Sequence, residues 1–307
     1  MIKIGTLPKI FLFLAAAAIH FSAGSAAAVV KPGQGGILLD TYQRNIAKLE
    51  TSSFGLPLFL TSFAKNNRVH VDVYGIFDSP FSSVVNALQV PANWCGIVSL
   101  HPNVKACTFR EEPGNKLLTF YFGRKFYQTP EEAHQVLYHF QNVVQEQTYL
   151  DIMLNAEDGP FGTENHRMRF EALPLSKDRT FVHVSYEYNE SLALRLAGKA
   201  YFSTLGQDKV GFTVTGTDKN GKDIHIGGPR GATERNAVRY YFAIQSFMTT
   251  MPSPEKSLFS RRINNWYDLT ARYKEQLFEL DKQDYLAFKT SEHKNQLRLQ
   301  RQLGPTL

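Results

Sequence analysis

The sequence predicts an α+β fold in which an antiparallel sheet is followed by a long helix, and three observations carry that reading. From Arg68 onward, Val69, Val71 and Val73 alternate with His70, Asp72 and Tyr74, the period of a strand with one buried face. The later strand-like runs are joined by connections such as Glu112-Pro113-Gly114-Asn115 and Ser176-Lys177-Asp178, too short for crossover helices, so neighbouring strands must run antiparallel. Thr233 to Met251 then continues without Gly or Pro, with Val238, Tyr241, Phe242, Gln245, Met248 and Thr249 recurring at helical spacing, until Pro252 and Pro254 end it.

The first element is a leader. Met1 to Lys9 carries two lysines and no acid, Ile10 to Ile19 is a short apolar run, and small residues follow, with an A-x-A arrangement at Ala26 and Ala28. That is the pattern of a secretory signal peptide spanning 1–28, cleaved before Val29. The run is too short for a spanning helix, which needs roughly 20 apolar residues. The expected location is therefore the periplasm or the exterior. Losing two lysines with the leader takes the net charge from +6 to +4, and residues 255–307 hold most of what remains. A body so weakly charged lacks the concentrated basic patch of a nucleic-acid binder, and no nucleic-acid partner is expected.

Residues 29–66 form a Gly-rich lead-in and a helix over Leu38 to Leu49, and the body spans 67–252. After the strand at Arg68, Asp78, Ser79 and Pro80 supply cap and first-turn chemistry for a helix through Leu88, with a second short helix over Ala92 to Leu100. Seven strands are read at Val104–Arg110, Lys116–Tyr127, Leu137–Gln145, Tyr149–Asn155, His166–Leu173, Arg179–Tyr188 and Lys209–Thr215. Thr129-Pro130-Glu131-Glu132 reads as a capped helical turn, and Ser191 to Tyr201 as either a short helix or a strand. Residues 253–307 form a basic helical extension. Its first helix runs from Glu255 to Leu280 with Phe259, Ile263, Trp266, Tyr273, Leu277 and Leu280 on one stripe, and the polar sequence beyond Phe288 reads as frayed. The stripe can pack on the body or meet an anionic membrane surface or an envelope protein, and packing is the preferred reading because acids are mixed with the bases.

The only two cysteines, Cys95 and Cys107, read as a disulfide worth ~3 kcal/mol in an exported chain, the alternative being two buried thiols.

The order strand, two short helices, meander and long helix, together with the segments Phe81 to Cys107 and GPRGATERNAVRYYFAI at Gly228 to Ile244, resembles the START-like (SRPBCC) superfamily, and within it a group of exported proteobacterial proteins. The resemblance implies a helix-grip fold: a curved antiparallel sheet wrapped around the long C-terminal helix, with the helical tail as an addition. It also implies a cavity between sheet and helix for an apolar small molecule or lipid. The residues expected to meet that ligand are Trp94, Tyr121, Tyr186, Arg235, Tyr241, Phe242 and Gln245. Tyrosine suits such a pocket because it pairs a large apolar face with one polar tip. Arg235 would hold a carboxylate or phosphate head, or else form a helix-start ion pair.

Dedicated chemistry is not written in the sequence. The nine histidines are scattered without metal-ligand spacing, so no metal is expected. There is no G-x-S-x-G elbow, Walker A or G-x-G-x-x-G motif, and no cofactor is expected. Glu157 and Asp158 are neighbours on an extended chain, point to opposite faces and read as a solvated loop. Three functions remain in order: a carrier or sensor of an apolar ligand, an enzyme of cyclase or hydrolase type on the same fold, and an interaction module with a filled core.

Overall fold

The computed structural model describes residues 33–202, 204 and 206–303. The expected signal peptide, residues 1–28, lies outside the described residues. Helix α1 (Gln34–Glu50) leads into the hairpin β1 (Leu58–Lys65) and β2 (Arg68–Phe77), then α2 (Phe81–Leu88) and α3 (Pro91–Val98). A meander follows: β3 (Val104–Glu112), β4 (Asn115–Phe122), β5 (His134–Glu146), β6 (Tyr149–Asp158), β7 (Glu164–Pro174) and β8 (Thr180–Asn189). These eight strands make one curved antiparallel sheet in the order β1-β2-β8-β7-β6-β5-β4-β3. Helix α4 (Leu192–Phe202) and a small ribbon of β9 (Val214–Thr217) and β10 (Asp223–His225) separate the sheet from the long helix α5 (Gly228–Thr250). The sheet grips α5 on one face, which is the expected helix-grip fold.

The strand period sorts the residues. Val71 and Val73 on β2, Val182 and Val184 on β8, Met168 and Phe170 on β7 and Ile152 and Leu154 on β6 all point inward and share one core with Ala237, Val238 and Tyr241 of α5. Gly75 permits the tightest approach: a Cβ there would lie 2.1 Å from the Tyr241 hydroxyl, so α5 can lie on β2 only because that position has no side chain. The opposite face packs Ile76, Phe181 and Tyr149 against Leu38 and Leu49 of α1.

Several elements differ from the expectation. The sheet starts at Leu58 rather than Arg68. Its seventh expected strand, Lys209–Thr215, is not in the sheet, because buried Glu234 of α5 draws the Phe212 and Thr213 amides to its carboxylate and the Thr213 hydroxyl with them. Asp78 and Ser79 do not cap α2: no side chain bonds at its N-cap, Pro80, and the Ser79 carbonyl instead accepts the Thr180 hydroxyl. The turn at Pro130–Glu132 carries the capping box expected of Thr129 and Glu132, and Ser191–Tyr201 resolves as helix. Cys95 and Cys107 are joined, tying α3 to β3 across Cα atoms 4.9 Å apart.

The C-terminal region is α6 (Glu255–Ala271), the short α7 (Lys274–Leu277) and α8 (Lys282–Gln302). Ile263, Trp266 and Leu277 are buried, and Tyr273 donates its hydroxyl to the Phe54 carbonyl, so the apolar stripe is used in packing on the body. The residues beyond Phe288, expected to fray, form an ordered helix along the β3 edge. Gln296 accepts the Cys107 amide, and Gln300 both accepts the Phe109 amide and donates to the Phe109 carbonyl, so two glutamines one turn apart replace a ninth strand. Lys105 and Lys289 share the Glu292 carboxylate at 2.8 Å each, all three buried, and the two ammoniums also serve the carbonyls of Pro102, Phe126, His101 and Val104. Among the described residues, no helix is long and apolar enough to cross a membrane.

The outward face carries a row of charges. His183 reaches Asp72 at 2.8 Å and Glu171 at 2.7 Å, and His70 reaches Asp72 at 2.9 Å and Glu187 at 2.7 Å. Each imidazole thus faces carboxylates from both nitrogens, which requires both to carry protons. Burial alone would depress these histidines, but the paired carboxylates outweigh it, raising His183 and taking His70 to about 9. A histidine raised in the folded state contributes stability that is full below its unfolded pKa of ~6.5 and is lost as pH rises through the folded value. We expect the stability advantage of the native protein over His70→Gln to be largest near pH 6 and to fade between about 6.5 and 9. Denaturant midpoints of the two proteins across that range measure it, and an advantage that grows with pH would contradict the ion-pair reading.

Candidate functional site

The inward face of the sheet is filled along β2 and β6 but not at the end where β4 and β8 finish and β5 and β7 begin. A cavity of about 680 Å³ opens there between the sheet and the N-terminal half of α5. Its walls come from separate elements: Phe122 of β4, Tyr186 and Tyr188 of β8, Asn236 and Tyr240 of α5, Leu194 of α4, and His101 from the α3–β3 connection. Phe161 stands at the rim in the left-handed region (φ 59°) and is 79% exposed. Leu192 and Leu196, also strongly exposed, lie on α4, whose residue Leu194 lines the cavity.

Three histidines line the cavity: His134 is exposed, whereas His166 and His101 are buried in its wall. His166 bonds the Thr163 hydroxyl through Nε2 at 2.7 Å, and that hydroxyl donates to the Pro160 carbonyl, so the imidazole is the donor in this pair. Its Nδ1 then faces the Tyr186 hydroxyl at 3.5 Å. Burial pushes His166 down to about 4, so it is neutral. A Cβ at Gly159 would lie 2.0 Å from His166 Nε2, which is how the β6–β7 turn folds so closely over the ring. His101 is 2% exposed and stacks on Tyr240 with centroids 4.8 Å apart. Its Nδ1 accepts the Asn103 amide at 3.1 Å, whereas its Nε2 has no hydrogen-bond partner. Burial first, then the nearby charges of Arg239, Lys289 and Lys125, hold the ring well below its usual range. Tyr188 stacks on His166 and donates to Thr233, whose hydroxyl is turned to the Pro229 carbonyl.

The seven residues expected to meet a ligand are dispersed. Tyr186 lines the cavity. Trp94 is fully buried in the core, with its indole N–H on the Leu88 carbonyl. Tyr121 follows the inward-facing Phe120 and precedes the inward-facing Phe122, so the strand period turns it to the outer face. Tyr241 fills the space over Gly75, and Phe242 stacks on Tyr273 with centroids 5.6 Å apart. Arg235 is buried and donates to the Val210 carbonyl rather than standing at the mouth. Gln245 lies one turn beyond Tyr241 with its amide oxygen buried and unpaired. The helix face that meets the cavity is the one bearing Thr233, Asn236 and Tyr240. His101, His166 and Tyr240 were not singled out for the site. For His166 a trace existed, the inward period shared with Met168 and Phe170, but a lone histidine between Leu100 and Pro102 offered none.

No family model matches the chain, and no curated protein matches it. Solved structures with a likeness to it include a START superfamily protein from Mycobacterium smegmatis, 14% identical over 44% of this chain and 88% of that one, at a TM-score of 0.32. Norcoclaurine synthase from Thalictrum flavum, in complex with dopamine and hydroxybenzaldehyde, is 14% identical over 48% and 88%, at 0.33. Human StAR-related lipid transfer protein 5 is 8% identical over 55% and 89%, at 0.31. Each is a likeness of fold at low identity, and the helix-grip assignment rests on the strand order and helix placement of this chain.

Proposed function

We propose that this chain is an exported binding protein that takes up an apolar or amphipathic small molecule, as a carrier or sensor, in the cavity between the sheet and α5. The observation that carries the reading is the cavity itself: about 680 Å³, walled by Phe122, Tyr186, Tyr188, Leu194 and Tyr240, with polar side chains such as His101, His166 and Asn236 among them and Arg124, Gln128 and Glu132 also on the lining. That size lies within the ~300–1,000 Å³ of small-molecule sites, and aromatic walls mixed with polar groups suit an amphipathic ligand. Export is supported by the leader pattern of residues 1–28 and by a disulfide, a bond that persists in oxidising compartments.

Binding is favoured over catalysis by how the two buried histidines are held. A general base needs a free lone pair aimed at substrate. The Nδ1 lone pair of His101 is taken by the Asn103 amide, and the Nδ1 of His166 faces the Tyr186 hydroxyl. Both rings therefore shape and polarise the cavity.

The test is titration with Nile red, a neutral apolar dye. The native protein should bind it, and Leu194→Trp should weaken binding about tenfold while changing stability by no more than about 0.5 kcal/mol, because α4 buries no residue and the new ring extends into the cavity. Absence of dye binding by the native protein would overturn the carrier reading.

A further inference from the structure

His101 lines the cavity wall, and its Nε2 is buried within that wall. Because its Nδ1 accepts a backbone N–H, that nitrogen carries no proton, and the ring's proton must sit on Nε2. The tautomer follows from the fold. Nε2–H is then a buried donor with no acceptor, a state that few native side chains occupy unless the missing partner comes from elsewhere. Neighbouring Asn236 lies near enough to hold the ring's pKa up against burial, but it makes no bond of hydrogen-bonding geometry to Nε2, and its amide oxygen accepts Arg239 Nη1 at 3.4 Å.

The surroundings say which acceptor fits. Glu279 alone faces Arg239 at 2.6 Å, Lys209 at 3.4 Å and Lys125. Glu292 alone faces Lys105 and Lys289, and Lys289 donates to the His101 carbonyl itself. Five cations thus share two carboxylates behind this wall of the cavity, and Arg124 stands on its lining. Glu132 is the acid on the lining; it is exposed at the rim, where its carboxylate caps Thr129. In a partly buried setting such an excess of positive charge favours an anion over a neutral or cationic group.

We propose that the ligand is an amphipathic oxyanion, its apolar tail in the aromatic cavity and one head-group oxygen accepting the His101 Nε2–H within the field of Arg239, Lys125 and Lys289. This rests on the binding reading above and narrows it to a chemical class. Carboxylate and phosphate monoester heads share that chemistry.

Displacement of Nile red by ligands with a common tail and different heads tests it. Dodecanoate or dodecyl phosphate should displace the dye at about tenfold lower concentration than dodecanol, the effect of one hydrogen bond to a charged group, with dodecylamine weakest. Whichever acid wins identifies the head. In His101→Phe, which keeps a flat ring against Tyr240 but removes the donor, the preference for the acid over the alcohol should fall to about twofold or less. If the native protein binds dodecanol or dodecylamine as tightly as the acids, or if His101→Phe retains the full preference, the oxyanion inference fails while the cavity stands. If Nile red does not bind at all, both fail together. The head-group series on the unaltered protein decides the matter even if the variant does not fold.

Discussion

Replacing Glu292 by alanine is expected to cost about 3–5 kcal/mol of folding stability, the usual effect of removing one partner from a fully buried ion pair. The carboxylate is shared by Lys105 and Lys289, which are 1% exposed, so the variant strands two ammoniums at once. Burial already lowers Lys289 to about 8 even with its partner present. Without Glu292 both lysines can escape the cost by releasing their protons, which is easier at higher pH. The deficit should therefore be greatest at acid pH, near 6 or below, and shrink as pH rises towards about 8, the sign opposite to that of a lost carboxylate cap. Urea midpoints of the native and variant proteins at the two pH values measure it. A loss under about 1 kcal/mol at pH 6 would show that water reaches the site and that the pair is not a buried one.

Phe242→Ala should be nearly as costly, ~3–5 kcal/mol, yet leave Nile red binding within about twofold of the native protein. Phe242 has no exposed surface and stacks on Tyr273, on a different side of α5 from Asn236 and Tyr240. Its removal opens a void in packed core and does not enlarge the cavity. Denaturant melts and dye titrations on the same sample separate the two effects. Weakened dye binding at modest cost in stability would move the ligand to that side of the helix.

The contrast between these two predictions reflects what the sequence can reveal. Strands β3 to β8 were readable because each alternates apolar and polar residues and the turns between them are short. β1 was not, since its burial alternates only faintly at an edge where just Leu58 and Phe59 are buried. The length of α5 was clear but its phase was not. Sixteen of its residues are buried, including Glu234, Arg235 and Arg239, so the helix has no single apolar stripe to mark the side facing the cavity. The periodicity points to Tyr241 and Phe242 as the cavity side, and these positions pack on β2 and Tyr273 instead. Helix α8 misled for a related reason: Lys289, Glu292 and Gln296 look solvated in one dimension, and only the bare edge of β3 gives them partners. The polar wall of the cavity depends on a tautomer set by a backbone amide two residues away, which no spacing rule encodes.

The strand order also bears on how the chain is made. β1 and β2 are complete early in synthesis, but the other side of β2 is paired by β8, with Arg68 against Asn189 and Phe77 against Thr180. Until β8 emerges, β2 offers a row of unsatisfied amides and an apolar face of Val69, Val71 and Val73 to any strand that meets it. Closing so distant a pairing is slow compared with forming the local β3–β4 and β5–β6 hairpins. The nascent chain therefore passes through a period in which half of its sheet can assemble and its first hairpin cannot be docked. It is in that interval, rather than in the finished molecule, that the β2 edge is most open to pairing with a strand of another copy.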